Sequence, residues 1–298
     1  MNIRPLSAAL LVMLSAQAQA NIDIQFDYSY DTNNFFSDTS RKAVLESAAS
    51  VFESRFSDSF TAITSSGSNG FDPVYFNPAN PSGTALSNNN DSFLANVIRV
   101  YAGGFDFTSG TLGSGGAGGY SCSGFSGFCD GAAQRGQGDV SGTNAIDVAP
   151  WGGSISFDSA GTNWHFGATA IGLDNSEFDF YSVAVHELAH LLGHGGSDSF
   201  RNLIIGTNFV GTAAGTVALN GGKDHWANGT LSTFNGISQE AAMTPSLANG
   251  TRKYFTELDF AAMQDIGWQV TPVPEADTWA MLLAGLGLVG FATRRRMA

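Results

Sequence analysis

The chain has 298 residues, 43% of them apolar, and a formal net charge of −13. That length and apolar fraction supply a core for one large domain or two small ones. The acid excess argues against nucleic acid as a partner, because a surface poor in Lys and Arg cannot replace the counterions of a phosphate backbone.

Residues 1–20 contain one early cation, Arg4, then an apolar run over 6–14 and Ala18-Gln19-Ala20 before Asn21. This is the layout of a secretory signal peptide cleaved after Ala20. Residues 22–28 alternate apolar and polar side chains around Ile22, Ile24 and Phe26, the period of a half-buried strand. Over 39–63 the spacing becomes helical, with Val44, Leu45, Ala48, Val51, Phe52, Phe56 and Phe60 on one stripe. Residues 64–91 are rich in Ser, Gly, Asn and Pro and predict loops or short, weak strands. Val97-Ile98-Arg99-Val100-Tyr101 predicts a strand.

Residues 109–142 form a glycine-dense insertion with no periodicity, so no regular structure is expected there. It holds the only two cysteines, Cys122 and Cys129, a spacing suited to a disulfide in an oxidising compartment. A strand is expected over 153–158, then a strand or its continuation over 163–166. A helix is expected to begin near 176–179, where Ser, Glu and Asp favour an N-terminus, and to end at Gly193.

That helix carries His186-Glu187-Leu188-Ala189-His190. Positions i and i+4 of a helix share a face, so His186 and His190 can direct imidazole nitrogens at one tetrahedral zinc. Glu187 then stands beside the metal without ligating it, where it can act as general base on a zinc-activated water. Catalytic zinc uses three protein ligands and keeps one position open. The remaining histidines are His165, His194 and His225. A continued helix would carry His194 roughly 12 Å from His186, too far for one metal. It can contribute only if the chain reverses at Gly193, and otherwise reads as a surface histidine at the helix end. His165, between Trp164 and Phe166, reads as structural, and Asp198 as an ordinary loop carboxylate.

The motif resembles that of the metzincin metallopeptidases, whose pattern would put a third histidine at position 196. The residue there is Gly196. The stretch 180–268 is similar to leishmanolysin-like zincins, which take the third ligand from a distant His-Trp. Here that is His225-Trp226, followed by Ala242-Met243-Thr244-Pro245 and by Thr256-Glu257-Leu258-Asp259 ahead of Asp265-Ile266-Gly267-Trp268. The resemblance implies that His225 completes the site and that Met243 forms the Met-turn beneath it. It implies an α+β, zincin-like fold: a twisted mixed sheet, a long N-terminal helix, an active-site helix, and a smaller loop-rich C-terminal subdomain beyond about residue 194. By the same analogy, residues 153–158 form the edge strand that aligns the substrate. The implied activity is hydrolysis of protein or peptide substrates by a Zn2+ metalloendopeptidase. Two rival readings are a non-catalytic envelope or biofilm-matrix protein of the same fold and a calcium-dependent adhesion module. No Asp-x-Asp-x-Asp-Gly loop supports the latter.

Residues 278–293 are uncharged and run into Arg294-Arg295-Arg296. With its flank from 276 this segment makes a marginal membrane span, its arginines cytoplasmic and the body outside. Preceded by Val273-Pro274-Glu275, it resembles the PEP-CTERM sorting tail that an exosortase recognises and cleaves, with Ala276 departing from the usual second proline. The resemblance implies a transiently anchored, exported protein. Four of the 13 basic residues and two of the 26 acidic ones fall in the terminal segments, which leaves 9 against 24, about −15, on residues 21–272.

Overall fold

The computed structural model describes residues 22–272 except Ser109 and Ser126. The expectations for a signal peptide over 1–20 and an apolar segment over 276–293 lie outside the described residues. No helix among the described residues is long and apolar enough to cross a membrane.

The architecture is mixed α+β. In chain order, β1 (Asp23–Asp27) leads to α1 (Thr39–Glu53), then to β2 (Gly70–Tyr75), β3 (Leu86–Ser87) and β4 (Val97–Phe105). β5 (Gly113–Ala117), β6 (Gly119–Ser123) and α2 (Phe128–Gln134) follow, then β7 (Gly152–Asp158), β8 (Trp164–His165) and β9 (Phe178–Asp179). After α3 (Phe180–Leu191) come α4 (Asp198–Asn202), β10 (Ile204–Ile205), β11 (Asn208–Val210), β12 (Thr216–Ala218), β13 (Leu231–Phe234), β14 (Ile237–Glu240) and α5 (Glu257–Asp265).

The main sheet has the order β1-β4-β7-β5. β1, β4 and β7 are parallel, and β5 runs antiparallel to β7 at the edge. Its two faces are read by alternation. Ile98, Val100 and Ala102 of β4 and Ile155 and Phe157 of β7 join the large core with α1 and α3. Tyr101 turns the other way into a second cluster with Tyr75, Phe93 and Trp151 beneath the β3-β2-β6 sheet. β7 is therefore buried at every position, as a strand covered on both faces must be. Each large aliphatic side chain of α3 in this core, such as Leu188 or Leu191, contributes about 1.5–3 kcal/mol by leaving water. The large core also takes in Phe200, Trp226, Met243, Met263 and Trp268, so both sides of Gly193 share it.

Three expectations need correction. Residues 109–142 are not irregular: β5, β6 and α2 form there. Their order comes from backbone pairing with β7 and β2, which leaves no trace in side-chain periodicity. The strand expected over 153–158 is present but interior, so it is not the edge; β5 is. The first helix stops at Glu53, because beyond Ser54 the backbone pairs elsewhere: Ser57 N–H donates to Gln269 C=O, and Phe56 bridges Val270. Phe56 and Phe60 stay buried without being helical, stacking or tilting against Trp268.

Asp58 belongs to this junction and accepts the Gln269 N–H at 3.0 Å. Burial pushes its carboxyl from 3.8 up to about 6, with the hydrogen bond opposing. Between those values the unfolded chain has lost the proton that the folded chain keeps, so this group makes stability fall as pH rises from about 4 to 6. Asp58→Asn is expected to flatten that part of the slope. Thermal midpoints of both proteins from pH 3.5 to 7 check it, and parallel curves count against it.

Candidate metal centre

The centre is assembled on α3, whose start is clamped. Asp179 caps the helix by accepting from Ser182 N–H at 3.0 Å and Ser182 Oγ at 2.6 Å. The same carboxylate meets Arg252 in a buried two-point contact, Nε at 2.9 Å and a terminal nitrogen at 2.7 Å. One turn on, Val183 and Glu187 face β5. A Cβ on Gly115 would lie 2.3 Å from the Glu187 carbonyl oxygen, so only glycine lets this strand approach the helix so closely. The Glu187 side chain lies along the same strand, its Oε1 3.0 Å from where a Cβ on Gly113 would sit.

His186, His190 and His225 converge. Their Nε2 atoms are separated by 3.0 Å (186 to 225), 3.1 Å (186 to 190) and 2.9 Å (190 to 225). Each Nδ1 faces an oxygen. His186 Nδ1 lies 2.8 Å from Ala242 C=O, His190 Nδ1 2.9 Å from His194 C=O, and His225 Nδ1 2.8 Å from Asp224 Oδ1. An imidazole nitrogen facing a carbonyl or carboxylate carries the proton. All three Nε2 atoms are therefore unprotonated acceptors, which cannot hydrogen-bond one another. Three lone pairs packed this closely are repulsive unless a cation lies between them. A tetrahedral zinc with bonds of about 2.1 Å asks for nitrogen separations of about 3.4 Å, close to those present. The donor set thus fits a metal ion. Burial, followed by the proximity of the other imidazoles, holds His186 well below the usual histidine range and His190 down at about 4. Both are accordingly neutral and available as ligands.

Glu187 is the only acid on this wall of α3. Burial pushes its carboxyl up to about 8, against the Gly115 N–H that favours the charged form. A divalent cation on the imidazoles would favour the charged form and oppose that shift.

The other sequence candidates are placed clearly. The chain does reverse at Gly193, whose φ of +112° favours glycine, and this brings the His194 carbonyl back to His190. The His194 side chain stands outside the three converging imidazoles, its ring packed on Phe200 and Trp226. It is fully buried rather than a surface residue, and neither ring nitrogen finds a hydrogen-bond partner, with the Asp224 carbonyl near but not in bonding geometry. His165 is buried beside Glu177 and Thr169, a structural position. Asp198 accepts the Gly142 N–H and pairs with Arg201, away from the imidazoles. Met243 is fully buried in a turn closed from Thr244 N–H to Ala241 C=O, directly after the carbonyl that receives His186. Cys122 and Cys129 form a disulfide with Cα atoms 5.8 Å apart.

Two contributors escaped the sequence reading. Asp224 orients His225, and its position next to a candidate ligand was the available clue. Asp259 was seen only as part of a helix, yet it ties the site's base together. It accepts Trp226 Nε1–H at 2.8 Å, Ala242 N–H at 2.9 Å, Met243 N–H at 3.3 Å and Thr256 N–H at 2.8 Å. Asp259→Ala would leave these buried donors unpaired, at about 1–3 kcal/mol for each one that water cannot reach. The expected result is a loss of several kcal/mol in urea unfolding; a loss under 1 kcal/mol would contradict this role.

These groups line one cleft of about 1370 Å³, open to solvent, that runs along β5 and past Thr244 to Leu247. Comparison with known proteins bears on a different part of the chain. The PEP-CTERM protein-sorting motif matches residues 272–296. The tail is a PEP-CTERM sorting signal. It marks an exported protein sorted to the cell envelope, and implies recognition by an exosortase-type processing enzyme. No curated protein and no solved structure matches the chain.

Proposed function

We propose that this PEP-CTERM-tailed chain is an exported zinc-dependent metalloendopeptidase with a zincin-like fold. The observation that carries the reading is the convergence of three unprotonated Nε2 atoms, each held by an oxygen on its far nitrogen, beside a buried glutamate. Zinc bound to His186, His190 and His225 would acidify a water molecule and polarise a carbonyl. Glu187 accepts the proton of the attacking water and delivers it to the leaving amine. The free edge of β5 offers backbone N–H and C=O groups to an extended peptide, which sets the scissile bond across α3. An open cleft with strand on one side and the 244–247 segment on the other suits an internal bond of a chain.

The test is zinc content together with casein cleavage by the purified full chain. One zinc per chain and cleavage that is abolished by a chelator and restored by zinc are expected. Absence of bound zinc sinks the reading. Zinc without cleavage of casein or unfolded peptides turns it into a non-catalytic envelope protein of the same fold.

A further inference from the structure

The disulfide takes no part in the chemistry above, yet it stands beside the cleft. Cys122 belongs to β6 and Cys129 to α2, so the bond ties the strand that follows the edge strand to the next helix. Each of these elements gives the cleft a wall residue, Tyr120 from β6 and Ala133 from α2. The Tyr120 ring stacks on buried Phe71, 5.1 Å between centroids and 22° between planes, and remains 46% exposed. Trp151 forms the floor. Its Nε1 donates to Gly119 C=O at 2.9 Å, and a Cβ on Gly118 would lie 2.0 Å from the indole. Val140, Ala149 and Pro150 continue this surface without charge, and Arg201, which also lines the cleft, is paired with Asp198.

β5 leads into this wall through Ala117 and Gly118, so a peptide paired with β5 carries one of its alternate side chains there. The opposite end of the cleft differs: Lys253 lies there, but its ammonium is consumed by Glu240 at 2.8 Å and by Thr244 and Ser246 at 2.6 Å each. Selectivity by charge is thus not on offer at that end, whereas an aromatic surface is on offer at this one.

We propose that Tyr120, Trp151 and Ala133 form a subsite for one large apolar side chain of an extended peptide substrate, remote from the scissile bond, and that the Cys122–Cys129 disulfide holds its two walls together. The subsite rests on the peptidase reading of the cleft. Its occupant is a Phe-, Tyr- or Leu-class side chain, since nothing on the wall pairs with charge and the backbone of β5 is already engaged along the peptide.

The experiment uses the zinc-loaded full chain carrying Glu187→Gln, which slows turnover far below the time of a binding measurement, and fluorescein-labelled decapeptides with Phe, Ala or Glu at each position in turn. Fluorescence anisotropy is expected to reveal one position where Phe binds about tenfold more tightly than Ala, with Glu weaker still. Adding Tyr120→Ala is expected to bring the Phe-to-Ala ratio within about twofold at that position alone, and Cys122→Ser with Cys129→Ser to do the same, while zinc content stays at one per chain. The inference is overturned if no position favours Phe, or if the ratio survives Tyr120→Ala. Cleavage by the chain with Glu187 intact is followed in parallel. A Phe preference in binding without any cleavage removes the peptidase reading and leaves the subsite standing.

Discussion

Glu187→Gln is expected to lower kcat for peptide hydrolysis by about 10²–10⁴-fold while zinc content remains at one per chain. The substitution keeps the side-chain volume that lies against Gly113 and Gly115, so β5 and α3 stay packed. What disappears is the group that accepts a proton. The glutamate adjoins one proposed ligand in sequence, but its carboxylate is outside the trio of converging nitrogens. Metal retention and loss of turnover therefore separate cleanly. Atomic absorption and initial rates on a quenched-fluorescence peptide measure the two, and a variant with full turnover would remove Glu187 from the mechanism.

His225→Ala is expected to weaken zinc binding more than about 100-fold, beyond the 10–100-fold that loss of an outer hydrogen-bond partner typically brings. Asp224→Asn should fall within that smaller range, because it disturbs only the oxygen that fixes the His225 Nδ1 proton. His194→Ala provides the contrast. It opens a cavity against Phe200 and Trp226 and lowers stability, but removes no nitrogen from the cluster, so zinc content is expected to hold. Competition with a chromophoric chelator ranks the three variants. Retained zinc in His225→Ala together with loss in His194→Ala would reverse the ligand assignment.

The parts of this site legible in sequence are those that a regular element displays. His186, Glu187 and His190 depend only on helical spacing, and α3 begins one residue after Asp179, where a capping acid was expected. His225 could be reached only through family resemblance, since 35 residues separate it from His190 and no period links them. The edge strand was illegible for a chemical reason. Gly113, Gly115 and Gly116 carry no side chain to show a pattern, and at Gly113 and Gly115 that lack is what lets β5 lie against Glu187. Its function was consequently given to 153–158, which has the stronger strand signal because both of its faces are covered. The misread end of α1 has a similar origin: Phe56 and Phe60 continue a helical stripe in sequence, but they pack on Trp268 from a strand-like segment. Hydrophobic period reports burial well and backbone path less well. Asp259, alone on its helix, offered no pattern at all.

The pairing of the chain's two distant segments near Asp58 sets where the folded body meets the sorting motif. Thr271 N–H donates to Arg55 C=O at 2.7 Å, and the sorting motif begins at the next residue, 272. The last described backbone pairing of the body therefore stands one residue ahead of the motif.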